Sequence, residues 1–160
     1  MNISKISKEG DLKNIFHNYL KNSAISCAGL KYEKWLWKYM ENPFFIEKPA
    51  MWICAMEGKT AGFLGGIPVR LKVGSKIINA AWAVDFMTSQ ECRRKGIGRL
   101  LTSEANKCFD VFLSIGQTDM ACSLFTKMGW ENLGYIRHYI KIWDIRVLIK
   151  EKIKIAFIVN

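Results

Sequence analysis

The residues best suited to chemistry stand together at Arg93-Arg94-Lys95-Gly96-Ile97-Gly98, with Arg99 immediately behind. A strand-like run precedes this turn and a helical stripe follows it, so it marks a helix start. The first backbone N–H groups of a helix lack intrahelical partners, and the helix dipole adds partial positive charge there. Glycines let the main chain approach a ligand closely, so such a turn can cradle phosphates. It is not a Walker A loop, because no Gly-Lys-Ser/Thr follows at the required spacing. Nor is it a dinucleotide fingerprint: the Gly-x-Gly-x-x-Gly order is missing and the preceding sheet reads antiparallel. The basic knot is either a set of phosphate partners or a solvated face.

Carboxylates near this turn are few. Asp85, on the strand leading to it, is the best placed. It reads as a base or amine anchor, or else as a structural carboxylate satisfied by backbone or a basic neighbour, because strand side chains alternate faces. Glu57, beside Gly58, reads as part of a solvated turn. Cys27, Cys54, Cys92, Cys108 and Cys122 show no Cys-x-x-Cys spacing, and His17 and His138 are the only histidines. No zinc site or redox dithiol is suggested, and no metal is expected.

The elements that must position these groups follow from the rest of the chain. Its 160 residues, 50% hydrophobic and 24% charged, suit one folded domain and exclude a disordered chain. No apolar run approaches the roughly 20 residues of a spanning helix, and residues 1–13 carry no secretory pattern. Unpaired cysteines without a signal fit a cytoplasmic location. The net charge of +10 divides as +3, +4 and +3 over residues 1–50, 51–110 and 111–160, so no basic arm exists for nucleic acid.

Leu12, Ile15, Phe16, Tyr19 and Leu20 form one helical stripe, and Tyr32, Trp35, Leu36, Tyr39 and Met40 form another, ended by Asn42-Pro43. Trp35 and Tyr39 lie on that stripe and read as core, whereas Trp37 lies off it and could wall a substrate cleft. Strand-like runs over 51–57, 60–71 and 76–88, with turns at Gly58-Lys59 and Gly74-Ser75, predict an antiparallel meander. A helix from Ile97 to Cys108, a buried strand at Val111–Ser114, a helix closed by Gly129 and two strands over 130–142 complete the pattern. Residues 143–160 mix isoleucines with Arg146, Lys150, Lys152 and Lys154. They read as an extension packed on the same domain, a membrane-surface helix, a dimer contact or a stub leading to a further domain, so a homodimer stays open.

The segment VDFMTSQECRRKGIGRLL resembles the acetyl-CoA-binding motif of the GCN5-related N-acetyltransferases, Arg/Gln-x-x-Gly-x-Gly/Ala, with Arg93, Gly96 and Gly98 at its defined positions. ACSLFTKMGWENLGY is similar to a second segment of that family, and both fall in a compatible element order. The resemblance implies an α/β (α+β) domain over residues 1–142, with a mixed, mostly antiparallel sheet flanked by helices in the order β-α-α-β-β-β-α-β-α-β-β. The first strand is placed near Ile3 to Ile6. Acetyl-CoA is the implied cofactor. The main chain of Phe86, Met87 and Thr88 would bond its pantetheine, and the turn from Arg93 through Arg94, Lys95, Gly96, Ile97 and Gly98 to Arg99 would hold its phosphates.

Two positions depart from the family. Phe125 stands where many relatives carry a tyrosine that protonates the thiolate, and Thr118 stands where many carry an asparagine. A thiol pKa near 8.5 makes the leaving group weakly basic, so transfer survives without that acid, at a cost of about 10²–10⁴ in rate. Water, Tyr135 or Tyr139 could substitute, and Phe125 is equally a good packing residue. The chain from Trp35 to the basic turn also resembles a subgroup associated with surface polysaccharide synthesis. The expected activity is acetyl transfer to a primary amine of a small molecule or amino sugar. The alternatives are a catalytically weak acetyl-CoA-binding sensor or assembly protein, and a basic nucleic-acid-binding domain.

Overall fold

Apolar residues at strand spacing build three long antiparallel strands: β2 (Met51–Met56), β3 (Lys59–Val73) and β4 (Lys76–Thr88). The computed structural model describes residues 2–6, 9–22, 32–44, 50–134 and 136. β1 (Asn2–Lys5) pairs antiparallel with β2, and β5 (Val111–Ser114) pairs parallel with β4, giving the sheet order β1-β2-β3-β4-β5. The helices are α1 (Glu9–Asn22), α2 (Tyr32–Tyr39), α3 (Ile97–Asn106) and α4 (Asp119–Lys127). The mixed, mostly antiparallel sheet is the expected one. The β2–β3 turn sits one residue earlier than the sequence suggested, at Glu57 (φ 51°) and Gly58 (φ 74°). Two positive φ values in a two-residue loop match the twist of a hairpin, and Lys59 is thereby freed to open β3.

Each face of the sheet carries its own core. Ile6, Leu12, Ile15, Phe16, Trp35, Tyr39, Met51 and Phe63 join α1 and α2 to one face. Trp52, Cys54, Leu64, Ile97, Leu101 and Ala105 join α3 to the other. Trp35 and Tyr39 are fully buried, as their place on the stripe implies, while Trp37 is 51% exposed. Full burial of a side chain as large as Trp35 contributes about 1.5–3 kcal/mol, which fixes the short α2 onto the sheet. Burial also pushes the Cys54 thiol above its ordinary pKa, keeping it an inert core group.

Strand β4 contains a bulge. Phe63 faces Met87 and Gly65 faces Val84, so Leu64 alone opposes both Asp85 and Phe86. Asp85 takes φ 51°, rare for a residue with a Cβ. The extra residue resets the alternation. Val84 and Met87, three apart, both pack on the α1–α2 side, while Ala83 and Phe86 both pack on the α3 side.

The chain divides into two units, Met1–Trp130 and Glu131–Asn160. The two strands expected over 130–142 do not begin in Trp130–Gly134, which is irregular; there the Asn132 side chain accepts the Gly134 N–H at 2.9 Å. Gly134 takes φ 101°, which interrupts extended backbone at that point. Tyr135, Tyr139, the expected boundary after residue 142 and the tail 143–160 lie outside the described residues. Among the described residues, no helix is long and apolar enough to cross a membrane.

Candidate functional site

The site begins where pairing stops. Among the described residues, β5 accompanies β4 only from Ala80 to Ala83, and Val84–Thr88 form an edge open on the β5 side. The Ser89 N–H donates to the Ala61 carbonyl at 2.9 Å. Hydrogen-bonded and non-bonded pairs alternate in an antiparallel ladder, so the Thr88 N–H and C=O turn toward that open side. Phe86, Met87 and Thr88 are half-buried along it.

At the Thr88 end the chain passes through a short 3-10 turn, Gln90–Cys92, into the basic turn and α3. Arg94 (φ 62°) and Gly96 (φ 79°) both take left-handed backbone, and Gly96 caps α3 without a side chain. The first helical bond runs from the Leu100 N–H to the Gly96 carbonyl, 3.1 Å. The N–H groups of Ile97, Gly98 and Arg99 therefore lie free of the helix ladder. Arg93, Arg94, Lys95 and Arg99 are exposed and form no ion pair among the described residues.

The two glycines of the motif do different jobs. Among the described residues, a Cβ at Gly96 would meet nothing within 4 Å, so this glycine serves backbone conformation in front of open space. A Cβ at Gly98 would lie 3.0 Å from both Leu124 Cδ2 and Phe86 Cζ, so this glycine seats α3 against α4 and β4. Gly62 is a second close approach: a Cβ there would lie 2.8 Å from the Met87 carbonyl oxygen and 3.0 Å from Ile97 Cγ2.

Asp85, at the start of the open edge, is held from α2. Its Oδ2 accepts from Lys38 Nζ at 2.9 Å and from the Tyr39 hydroxyl at 2.5 Å. The side chains of Lys38 and Asp85 are 23% and 13% exposed, so this pair is only partly screened. The basic neighbour weighed in the sequence reading is Lys38. Gly65 completes the group, because a Cβ there would collide with the Tyr39 ring and hydroxyl. Sequence reasoning missed Lys38, Tyr39 and Gly65 as a unit. The Gly65-Gly66 pair inside a strand was its signal, since strand glycines often mark a close approach.

Thr118 caps α4, its hydroxyl accepting the Ala121 N–H at 3.4 Å. Phe125 is 4% exposed and stacks between Phe86 (centroids 5.8 Å, 19°) and Trp130 (4.4 Å, 13°). Phe125→Tyr should therefore place a hydroxyl in a packed aromatic stack and cost about 1–3 kcal/mol. Thermal melting checks this. An unchanged melting temperature with faster acyl transfer would instead put the ring edge at a reacting thiol.

Neither a protein-family model nor a curated relative matches this sequence. Solved structures do match in fold. An aminoglycoside 6'-N-acetyltransferase from Acinetobacter haemolyticus is 15% identical, with 90% of this chain and 100% of that chain covered at a TM-score of 0.65. Another aminoglycoside acetyltransferase, AAC(6')-Iy in complex with a CoA bisubstrate analogue, is 14% identical, with 88% and 97% covered at 0.66. A transcriptional regulator from Bacillus halodurans is 16% identical, with 86% and 99% covered at 0.63. The chain has the GCN5-related N-acetyltransferase fold. Identities this low carry the fold alone.

Proposed function

We propose that this protein is an N-acyltransferase that moves an acetyl group from acetyl-CoA to a primary amine of a small molecule or amino sugar by direct transfer. One observation carries the reading: the edge of β4 at Val84–Thr88, unpaired among the described residues, leads directly to the N–H groups at the start of α3 that lie free of the helix ladder. The turn fits a polyanion, with open space in front of Gly96 and four exposed cations around it. On this reading the edge from Phe86 to Thr88 takes the pantetheine like an added strand, with the Thr88 N–H and C=O facing it. The main chain from Arg93 to Arg99 holds the phosphates, and Phe125 packs against Phe86 of the edge.

The chemistry acetyl-CoA supplies is an acyl thioester open to attack by a neutral amine. Asp85 is the group of this chain suited to that amine. Lys38 and Tyr39 both end on its Oδ2. An amine with a pKa near 10.4 arrives protonated, and a carboxylate can orient it and take its proton. No hydroxyl at position 125 returns a proton to the thiolate, and a thiol pKa near 8.5 makes that tolerable.

A second reading, an acetyl-CoA-binding protein with weak or no transfer, is favoured by the Phe125 stack and by the Lys38 charge on Asp85. Amine-dependent release of coenzyme A thiol, measured across a panel of small amines and amino sugars, separates the two. Release with at least one amine supports transfer. Binding of acetyl-CoA without release from any amine favours the second reading.

A further inference from the structure

Lys38 belongs to neither sequence motif, yet it occupies the carboxylate at the start of the open edge. The two groups on Asp85 Oδ2 differ in freedom. Tyr39 is fully buried and seated on Gly65, where no Cβ fits, so its hydroxyl is fixed. Lys38 stands on a flexible four-carbon stem, 23% exposed, and lines an open surface groove with Glu33, Lys34 and Trp37. A lysine so placed can swing into solvent for the loss of one partly screened contact. The tyrosine cannot leave.

We propose that Lys38 is the internal occupant of a primary-ammonium site on Asp85, which an incoming amine must displace, so that Lys38 sets how tightly amines bind. The inference rests on the reading of Asp85 as the amine anchor. The chemistry of occupant and ligand is the same: an ammonium on a carbon stem, with three donors and no acceptor. Two such cations on one carboxylate repel each other, so one must leave for the other to bind. The groove beside Lys38 opens to the solvent into which the lysine withdraws. Because the occupant is tethered, apparent affinity for a free amine falls by the fraction of time that Asp85 stands vacant.

The test is calorimetric titration of n-butylamine and of glucosamine into the wild type, Lys38→Met and Lys38→Met/Asp85→Asn, with coenzyme A titrated in parallel. Methionine keeps the apolar stem and removes the charge. If Asp85 is vacant about a tenth of the time, Lys38→Met binds the amines about tenfold more tightly than the wild type. Asp85→Asn in the double variant removes that gain, and coenzyme A titrated into the wild type and Lys38→Met reports separately on the phosphate turn. A purely structural ion pair predicts no tightening. Amine binding that is equal or weaker in Lys38→Met, including no binding by either protein, overturns the inference. Failure of the wild type to bind coenzyme A overturns the acyltransferase reading instead. Should Lys38→Met not fold, Lys38→Ala is melted with and without n-butylamine. The amine should raise its melting temperature by more than that of the wild type, and an equal or smaller rise overturns the inference.

Discussion

Gly65→Ala should destabilise the protein by about 3 kcal/mol, more than an exposed Gly→Ala change could. The added Cβ would collide with the Tyr39 Cε1 and Cζ at 2.7 Å and, closer still, with its hydroxyl. Tyr39 cannot retreat, because it is fully buried and packs edge-on against Trp35 at 5.5 Å. Overpacking of this kind costs about 1–3 kcal/mol. Displacing the hydroxyl also weakens its bond to Asp85, and bonds to charged groups contribute about 1.5–3 kcal/mol. A loss of about 3 kcal/mol lowers the melting temperature of a chain this size by roughly 6–12 °C. In a Tyr39→Phe background the same change should cost less, because the closest collision is gone. Melting within a degree or two of the wild type would contradict the seating of Tyr39 on Gly65.

Gly96→Val should weaken coenzyme A binding at least tenfold while leaving the fold nearly as stable. Nothing stands within 4 Å of the new Cβ, so no packing is disturbed. The cost lies in the backbone: φ 79° is left-handed, and a β-branched residue is strained there. Relief of that strain rotates the peptide planes of the turn, and the N–H groups no longer converge on a phosphate. Tenfold corresponds to about 1.4 kcal/mol of binding free energy. Gly98→Val is the contrasting variant. Its side chain would press on Leu124 and Phe86 at 3.0 Å, so binding and melting temperature should fall together. Calorimetry and melting on both variants check the division. Full affinity in a folded Gly96→Val protein would remove the turn from the site.

Much of this was legible in the residue pattern. The meander from Met51 to Thr88 announced itself by glycine turns between apolar runs, and the basic turn by its place before the Ile97–Leu101–Ala105 stripe. The strand at Val111–Ser114 and the helix after Thr118 followed from their apolar spacing, whereas the parallel pairing of β5 did not. What escaped were features that depend on distant chain segments. The bulge at Asp85 has no glycine or proline to mark it; its left-handed backbone is held by Lys38 and Tyr39, which are 47 and 46 residues away. The two motif glycines look alike in sequence, yet one faces open space and the other faces Leu124 and Phe86. Phe125 marked a departure from the family pattern, but only the fold shows it closed between two rings.

The central claim is that the open edge of β4 and the start of α3 form a coenzyme A site. Calorimetric titration of coenzyme A into the wild-type protein, alone and with excess oligonucleotide, tests it most directly. The prediction is saturable one-to-one binding that oligonucleotide leaves unchanged. No heat with coenzyme A, or its displacement by oligonucleotide, would contradict the claim.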